Sequence, residues 1–377
     1  MEVAGVFFKL GAVAFGGPAA HIALMEDEII TRRKWMDRQH FLDLIGATNL
    51  IPGPNSTEMT MHCGHERAGV LGLFVAGFSF IFPAVIITGV LAWLYGEYGT
   101  VPEVIPFIAG IKPTVIAIIA SAVFKLGKKA LKGWELGVLG VIVIVAAFFG
   151  VNEVIALLSA GLLGMLYFHL TTKSDDTAAT KSNTSKKALL PLILLQTSGA
   201  AIAKITALKV FFTFLKVGAI LYGSGYVLFA YLDAELVSSG MLSRQELIDA
   251  IAIGQFTPGP VLSTATFIGY QLNGFPGAIA ASIGIFLPSF LFVLILNPLI
   301  PRMRNSKILR GFLDSVNIAA VAVMVSVLFE ITRESLVNWQ TVTIATLSVI
   351  ITFGFPKVSS IWLVLGGALM GYLLYLI

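Results

Sequence analysis

The sequence predicts an all-α polytopic membrane protein made of two inverted-topology repeats, with about 10 transmembrane helices. Two re-entrant half-helix hairpins, each broken at a Pro-Gly-Pro, complete the predicted fold. Three observations carry this prediction. The chain is 57% hydrophobic and only 12% charged, whereas soluble domains are nearer a quarter charged. Pro-Gly-Pro occurs twice, at 52–54 and 258–260. The charge of the loops reverses between the two halves.

The apolar runs are long enough to span a bilayer, which takes roughly 20 residues per helix. They lack the alternating pattern of a membrane barrel, so helices are the expected spanning structure. The start, "MEVAGVFFKLGAVAFGG", has no basic n-region and no clear cleavage site, and it is expected to be a first membrane helix. The lipid bilayer is therefore a partner. The single cysteine, Cys63, excludes internal disulfides, and the net charge of +4 gives no indication of nucleic-acid binding.

An internal duplication is visible at an offset near 206. Arg38-Gln39 aligns with Arg244-Gln245, Asp43 with Asp249, and "FGGP" at 15–18 with "YGSG" at 222–225. The predicted units are a first repeat at 1–170, a polar cytoplasmic linker with an interfacial or re-entrant segment at 171–208, and a second repeat at 209–377. The predicted spanning helices are 3–30, 68–96, 103–125, 134–150, 152–170, 209–232, 274–300, 308–332, 339–355 and 358–377.

The loop charges orient the two repeats by the positive-inside rule. Basic residues cluster in the first loop of repeat one, at 32–38, and again at 125–132. In repeat two, the first loop is mainly acidic and the next one, at 302–310, is basic. The first loop of repeat one is therefore expected in the cytoplasm. An odd number of crossings per repeat would produce this reversal, which predicts inverted repeats, an architecture of secondary transporters in the cytoplasmic (inner) membrane.

The segments that flank the first Pro-Gly-Pro reach only about 21 Å and 18 Å as helices, too short for a core of about 30 Å. We therefore predict re-entrant hairpins that enter from opposite sides and bring the two breaks together near the midplane. Unpaired N–H groups at the start of a half-helix, with the helix dipole, suit an oxyanion. The alternative is a tight turn whose hydroxyls only cap helix ends. The predicted substrate-binding residues at the breaks are Asn49, Pro52, Gly53, Pro54, Asn55, Ser56, Thr57, Gln255, Pro258, Gly259, Pro260, Ser263 and Thr264.

Lys112 is predicted near the middle of a spanning helix, where an unpaired cation is costly. It is expected either to balance an anionic substrate or to pair with a carboxylate such as Glu58. Its counterpart in repeat two is the neutral Asn317, which we add to the candidate site, and Asp314 is a candidate balancing charge.

Two residues are candidates for ion coupling. Glu58 follows the first break by one turn, where desolvation favours its protonated form, and Thr264 holds the matching position. The alternative role is a partner for the helix dipole or for Lys112. His21, just past "FGGP", is expected either to titrate or to be a hydrogen-bonded structural histidine. "HCGHE" at 62–66 places two histidines on one face, but we predict no metal site there and no cofactor. No Walker motif supports ATP-driven transport.

The sequence resembles the chromate ion transporter family, in its long two-domain form. The resemblance lies in "FGGPAAHIALMEDEIITRRKWMDRQHFLDLIGATNLIPGPNSTEM", in "RAGVLGLFVAGFSFIFPAVI" and in "RQELIDAIAIGQFTPGPVLSTATFIGYQLNGFPGAIAASIGIFLPSF". It covers nearly the whole chain outside the linker. It implies two homologous domains of opposite topology and export of chromate driven by an ion gradient, with sulfate as a competitor. The residues carried over are the two Pro-Gly-Pro segments with Gly16 and Gly17; Ser224 stands where repeat one has Gly17.

The sequence thus predicts a secondary transporter that exports chromate, an inorganic oxyanion similar to sulfate, and that is not an enzyme. Alternatives are a carrier for sulfate or another oxyanion, with import as an alternative direction, and a passive anion channel lined by the same half-helix dipoles. A membrane-embedded enzyme has little support, because no nucleophile–base set recurs at membrane depth. A homodimer is a plausible assembly.

Overall fold

The computed structural model describes residues 1–14, 17–48, 51–99, 101, 103–172, 205–222, 225–296, 307–355 and 358–375. These residues form helices and no strand. The helices of the first half are α1 (Glu2–Val13), α2 (Pro18–Met25), α3 (Arg38–Thr48), α4 (Asn55–Tyr98), α5 (Ile105–Ala130), α6 (Trp134–Phe148) and α7 (Glu153–Thr172). Those of the second half are α8 (Ala207–Ile220), α9 (Leu228–Leu232), α10 (Arg244–Phe256), α11 (Thr264–Leu296), α12 (Lys307–Ser335), α13 (Trp339–Gly354) and α14 (Ser360–Tyr375).

Within the described ranges, four helices are long and apolar enough to cross a membrane: α4, α5, α11 and α12. Four shorter apolar helices accompany them: α6, most of α7, α13 and α14. Their outer faces are apolar. Along α4, for example, Phe78, Phe82, Ile86 and Val90 form an exposed stripe at four-residue spacing. An apolar surface of this kind suits lipid, so the fold fits a multi-pass membrane protein.

The predicted span 3–30 is wrong, because α1 ends at Val13 and a second helix begins at Pro18 and continues as a π-helical turn, Glu26–Arg32. Glu2, at the start of α1, pairs with Arg33 at 2.9 Å and with Arg67 at 3.1 Å. The chain therefore returns to its starting side twice, once at Arg33 and once at Arg67. The first half thus contains two hairpins, the α1–α2 pair and the one broken at Pro-Gly-Pro.

The predicted span 209–232 is interrupted in the same way, since α8 ends at Ile220 and α9 begins only at Leu228. A second π-helical turn, Asp233–Val237, follows α9. At the far end of the second Pro-Gly-Pro hairpin, the Asn273 amide donates to the Ile205 carbonyl, just before α8, at 2.6 Å. That hairpin also returns to the side where its own half begins.

The two longest helices, α4 and α11, each consist of two helical segments joined at a glycine kink. In α4 the kink is Ala68 (φ −147°, ψ 27°) and Gly69 (φ 61°, ψ −153°). In α11 it is Asn273 (φ −153°, ψ 32°) and Gly274 (φ 59°, ψ −151°). The positive φ favours glycine at the second position. The kinks end the half-helices of the hairpins and begin the spanning segments.

The two halves are interlocked. Within each half the first helix packs on the long kinked helix, α1 on α4 and α8 on α11. The later helices pack across the halves instead: α5 lies against α13 and α14, and α12 lies against α6 and α7. The kinked helices α4 and α11 also meet directly, where the rings of Phe74 and Phe290 stack at 5.6 Å. The hairpins pack against these helices, α3 on α4 and α10 on α5, α11 and α14.

Candidate functional site

The first Pro-Gly-Pro forms a short non-helical loop between α3 and α4, and Pro52, Gly53 and Pro54 are all buried. Gly53 has φ +144°, a conformation that L side chains rarely adopt. Its N–H donates to the carbonyl of Leu221 at 2.6 Å. Leu221 is the residue at which α8, in the other half, ends. The loop is thus fixed to the interrupted first helix of the second half.

The second loop makes the reciprocal contact. Pro258, Gly259 and Pro260 are buried between α10 and α11. Gly259 has φ +84°, and its N–H donates to the carbonyl of Ala14, at the end of α1, at 2.8 Å. Ala14 and Leu221 are equivalent positions of the two halves. The Pro-Gly-Pro loops and first-helix breaks therefore form one crossed arrangement at the centre of the molecule.

Buried polar side chains surround both loops. Those on the first half-helix are Ser56, Thr57 and Glu58, while Gln255, Ser263 and Thr264 flank the second loop. Ser263 accepts from Thr88 at 3.2 Å, and Thr264 donates to its own turn. Thr57 Oγ1 and Gln255 Nε2 have no hydrogen-bond partner among the described residues. Both groups can donate, and buried donors without partners are uncommon in proteins.

Asn55 is half-buried where α4 begins. His21, on α2, bridges two elements of the site: Nε2 lies 3.2 Å from the Ala14 carbonyl and Nδ1 lies 3.2 Å from Ser56 Oγ. A neutral imidazole makes both bonds, with Nε2–H donating to Ala14 and Nδ1 accepting from Ser56. The histidine is hydrogen-bonded and holds Ser56 at the start of α4.

Glu58 is fully buried, and neither carboxyl oxygen has a hydrogen-bond partner in the described part of the chain. Ser289, on α11, is also fully buried, and its hydroxyl is likewise unpartnered there. Glu58 Oε1 and Ser289 Oγ both lie where a β-carbon on Gly53 would stand. The two groups therefore contact the same glycine from different halves of the chain. Residues Glu58 and Gly53 were in the predicted site, but Ser289 was missed.

Lys112 does not pair with Glu58, as the sequence suggested it could. Its Nζ lies 3.1 Å from Asp249 Oδ1, and Asp249 is almost fully buried on α10. The other oxygen of Asp249 accepts from the hydroxyl of Tyr95 at 2.6 Å. Asp249 is nearer to Lys112 because the second hairpin lies against α5. In the sequence, Asp249 stands out only as the match of Asp43. Its position in a predicted half-helix was the signal that it carries a charge at membrane depth.

Asp314 does not balance Lys112 either. Its Oδ1 lies 2.6 Å from the Nζ of Lys132, just beyond the end of α5. Asn317 lies one turn further along α12 and is half-buried. The start of α12 thus meets the end of α5.

The two Pro-Gly-Pro hairpins differ in how they meet the surrounding helices. In the second half, α10 is packed against α5 and α14. At its start, Arg244 binds Asp233 at 3.0 Å and two carboxylates of α12, Glu330 at 2.5 Å and Glu334 at 2.8 Å. Burial opposes the charge of this guanidinium, but the carboxylates outweigh it and raise the pKa of Arg244 above its ordinary value.

The first hairpin lacks this closure. Here α3 packs mainly on α4 and on the π-helical turn, and Arg38, the match of Arg244, is exposed and bound to Glu26. The positions that match Glu330 and Glu334 are Lys125 and Lys129, which are exposed and repel an arginine. The chain is closed around one hairpin and looser around the other.

Asn49, Gly16 and Ser224 lie outside the described residues, as do nearly all of the predicted linker and the 188–206 segment. His62 of "HCGHE" is buried. Among the residues that the structure describes, no group of three metal-ligating side chains comes together.

Comparison with known proteins gives a consistent result. The family model described as chromate transporter matches residues 1–165 and 208–372. A chromate transport protein of Cupriavidus metallidurans is 27% identical over 98% of this chain and 92% of its own length. A probable chromate transport protein of Synechococcus elongatus is 29% identical, over 93% and 89%. A chromate transport protein of Pseudomonas aeruginosa is 29% identical, over 84% and 77%. No solved structure matches the chain significantly.

Proposed function

Because the chain belongs to the chromate transporter family, we propose that it is a secondary active transporter that exports chromate, or a similar tetrahedral oxyanion, across the cytoplasmic membrane. The observation that carries this proposal is the crossed pair of backbone hydrogen bonds, from Gly53 to Leu221 and from Gly259 to Ala14. These two bonds join four helix interruptions as two buried pairs, each with one member from each half of the chain. Interrupted helices at mid-membrane depth are where transporters bind ions and substrates.

The two homologous units are proposed to be inverted with respect to each other. The contact of Lys132 with Asp314 supports this, since it places the end of α5 beside the start of α12. The contacts of Asp249 with Lys112 and Tyr95 support it too. They place the entrance of the second hairpin beside the end of α4 and the start of α5, on the side opposite Glu2. With the basic first loop in the cytoplasm, the second hairpin opens outwards.

The oxyanion is proposed to bind between the two loops. Thr57 Oγ1 and Gln255 Nε2, one from each half, are buried donors without a protein partner, and a tetrahedral oxyanion would supply acceptors to both. Ser56, Ser263 and Thr264 add hydroxyls, and the half-helix that starts at Asn55 adds its positive end. The glycines keep the loops narrow enough for the backbone to approach the ligand.

Lys112 is proposed to balance the charge of the bound anion. Its side chain is 21% exposed, so it reaches open space on one side while it contacts Asp249 on the other. A dianion and Asp249 would compete for the same ammonium group. Binding of the anion would therefore weaken the contact that holds α10 against α5, which ties occupancy of the site to movement of the hairpin.

Alternating access is supported by the difference between the hairpins. The Arg244 cluster and the Lys112–Asp249 pair close the second hairpin, whereas α3 lies open on the side of the basic loops. We assign the described state as open to the cytoplasm and closed to the outside. Transport would exchange these two arrangements by movement of the hairpin helices against α5 and α12.

The test is uptake of radiolabelled chromate and sulfate into everted vesicles and proteoliposomes. An exporter should accumulate chromate in everted vesicles, saturate, and show counterflow when the lumen is preloaded with unlabelled anion. Uptake of sulfate in preference to chromate would make sulfate the substrate. Flux without saturation or counterflow would indicate a channel, and absence of flux for both anions would overturn the proposal.

A further inference from the structure

The equivalent surfaces of the two Pro-Gly-Pro loops differ in chemistry. A β-carbon on Gly53 would meet the carboxyl of Glu58 and the hydroxyl of Ser289. A β-carbon on Gly259 would instead meet the methyl of Ala84 and backbone atoms. Thr264 matches Glu58 and Ala84 matches Ser289, so one loop has a carboxyl–hydroxyl pair where the other has a methyl group and backbone carbonyls.

Neither the carboxyl of Glu58 nor the hydroxyl of Ser289 stabilises the described residues through a hydrogen bond. Both oxygens of Glu58, and the hydroxyl of Ser289, are buried without hydrogen-bond partners in the described residues. An ionised carboxylate in such surroundings costs several kcal/mol. An acidic group that only stabilised the fold would be paired, as Asp249 and Asp233 are.

Neither carboxyl oxygen of Glu58 forms a hydrogen bond with a titratable group in the described part of the chain. Lys112 is engaged with Asp249 on α10. His21, on α2, is bound to Ser56 and Ala14, and His62 lies one turn further along α4. Tyr222 follows Leu221, whose carbonyl accepts the hydrogen bond of Gly53. A phenol contributes no positive charge, whereas a proton on the carboxyl group would remove the charge of Glu58 altogether.

The position of Glu58 determines whether its protonation strengthens or weakens binding of the anion. Glu58 lies in the first turn of α4, within one turn of Thr57 and of the backbone donors proposed to hold the oxyanion. An ionised Glu58 competes for the same positive helix end and repels a dianion. A protonated Glu58 does neither.

We propose that Glu58, supported by Ser289, is a proton-binding site whose protonation accompanies oxyanion binding, so that one proton and one oxyanion are bound and carried together. The inference rests on the proposed function. With one proton per dianion, a net negative charge crosses the membrane. An inside-negative potential then favours outward movement of the pair.

The direct test is binding of radiolabelled chromate to the purified full chain between pH 6 and pH 8.5. The wild type should bind more tightly as the pH falls. Glu58→Gln should bind with nearly the affinity that the wild type has at low pH and should lose at least half of the pH dependence. The titration of chromate itself affects every variant equally, so the difference between variants reports Glu58. Glu66→Gln, an exposed carboxylate on the same helix, is the matched control and should follow the wild type.

A second measurement does not depend on a variant that folds. In weak buffer with an indicator dye, chromate or sulfate added to the wild-type protein should cause an uptake of protons that rises towards one per anion bound as the starting pH is raised from 7 to 10. The uptake depends on the starting pH because only an ionised Glu58 can take up a proton when the anion binds. Release of protons, or affinity that weakens as the pH falls, would overturn the proposal, as would an unchanged pH dependence in Glu58→Gln. Binding without proton uptake would leave the oxyanion transporter standing and remove only the coupling site, whereas failure of the wild type to bind either anion would count against both.

Discussion

The N–H of Gly53 donates to the carbonyl of Leu221 at 2.6 Å, across the boundary between the two halves of the chain. Gly53 is held at φ +144°, and a β-carbon there would meet Glu58 and Ser289. One glycine thus contacts the interrupted first helix of the other half and the buried carboxyl group. This contact makes the loop sensitive to the smallest change in side chain.

Gly53→Ala is expected to abolish transport and to lower stability by roughly 1–3 kcal/mol, because alanine is strained at this φ and its methyl displaces the carboxyl. Gly46→Ala is the matched control: its site on α3 is exposed, with no atom within 4 Å of a β-carbon. The control should keep transport and gain up to about 1 kcal/mol in stability. Vesicle uptake and thermal denaturation in detergent measure both. Equal behaviour of the two variants would contradict the role given to Gly53.

The Lys112–Asp249 pair can be examined by a double-mutant cycle. Lys112→Met should destabilise the protein by several kcal/mol, since it leaves the buried carboxylate of Asp249 with only the Tyr95 hydroxyl as a partner. Asp249→Leu should destabilise it less, because the ammonium group of Lys112 is partly exposed. The double variant should recover most of that loss. Chromate transport should stay absent in the double variant if Lys112 also balances the substrate. A double variant with wild-type uptake of both anions would show that the pair is only structural.

Arg244→Gln is expected to loosen the outer closure, because it removes the charge that binds Asp233, Glu330 and Glu334. An impermeant maleimide can report this on a Cys63→Ser background. Ala252→Cys, buried on α10, should react from the outside at least several-fold faster once Arg244 is replaced. Gly46→Cys, at the equivalent place on α3, should react from the cytoplasmic side with or without Arg244. Equal labelling rates of Ala252→Cys with and without Arg244 would show that the Arg244 cluster does not close the second hairpin.

His21→Leu separates a structural histidine from a coupling one, and leucine is the residue found at the equivalent position, Leu228. The variant loses the bonds to Ala14 and Ser56 and should be less stable by about 1–3 kcal/mol. The pH dependence of chromate binding should remain that of the wild type, because the proton site is placed on Glu58. A flattened pH profile in His21→Leu would instead make the histidine part of the coupling.

Inversion of the repeats requires an odd number of crossings between them. Both hairpins of the first half return to the side of Glu2, so the described helices between α1 and α8 supply four crossings: the second segment of α4, then α5, α6 and α7. Reporter fusions after Thr172 and after Thr206 should therefore lie on opposite sides of the membrane, with Thr172 in the cytoplasm. Fusions on the same side would exclude inverted topology. The residues between these two positions are nearly all outside the described part of the chain.

The sequence alone determined that this is a helical membrane protein with a repeated Pro-Gly-Pro, because hydropathy, helix-breaking residues and spacing are local properties. It placed Gly53, Gly259 and Glu58 at helix interruptions for the same reason. The sequence predicted one spanning helix at 3–30, because hydropathy does not indicate where a chain reverses its direction. The contact of Glu2 with Arg33 reveals that the chain turns back.

Tertiary structure alone decided which residues meet. The partner of Lys112 is Asp249, Ser289 joins Glu58, and each loop binds the first helix of the opposite half. These contacts join positions some 140 to 245 residues apart, and they depend on how the two halves interlock. The two halves have the same pattern along the chain but not the same packing. The asymmetry between α3 and α10 is therefore visible only once the helices are assembled.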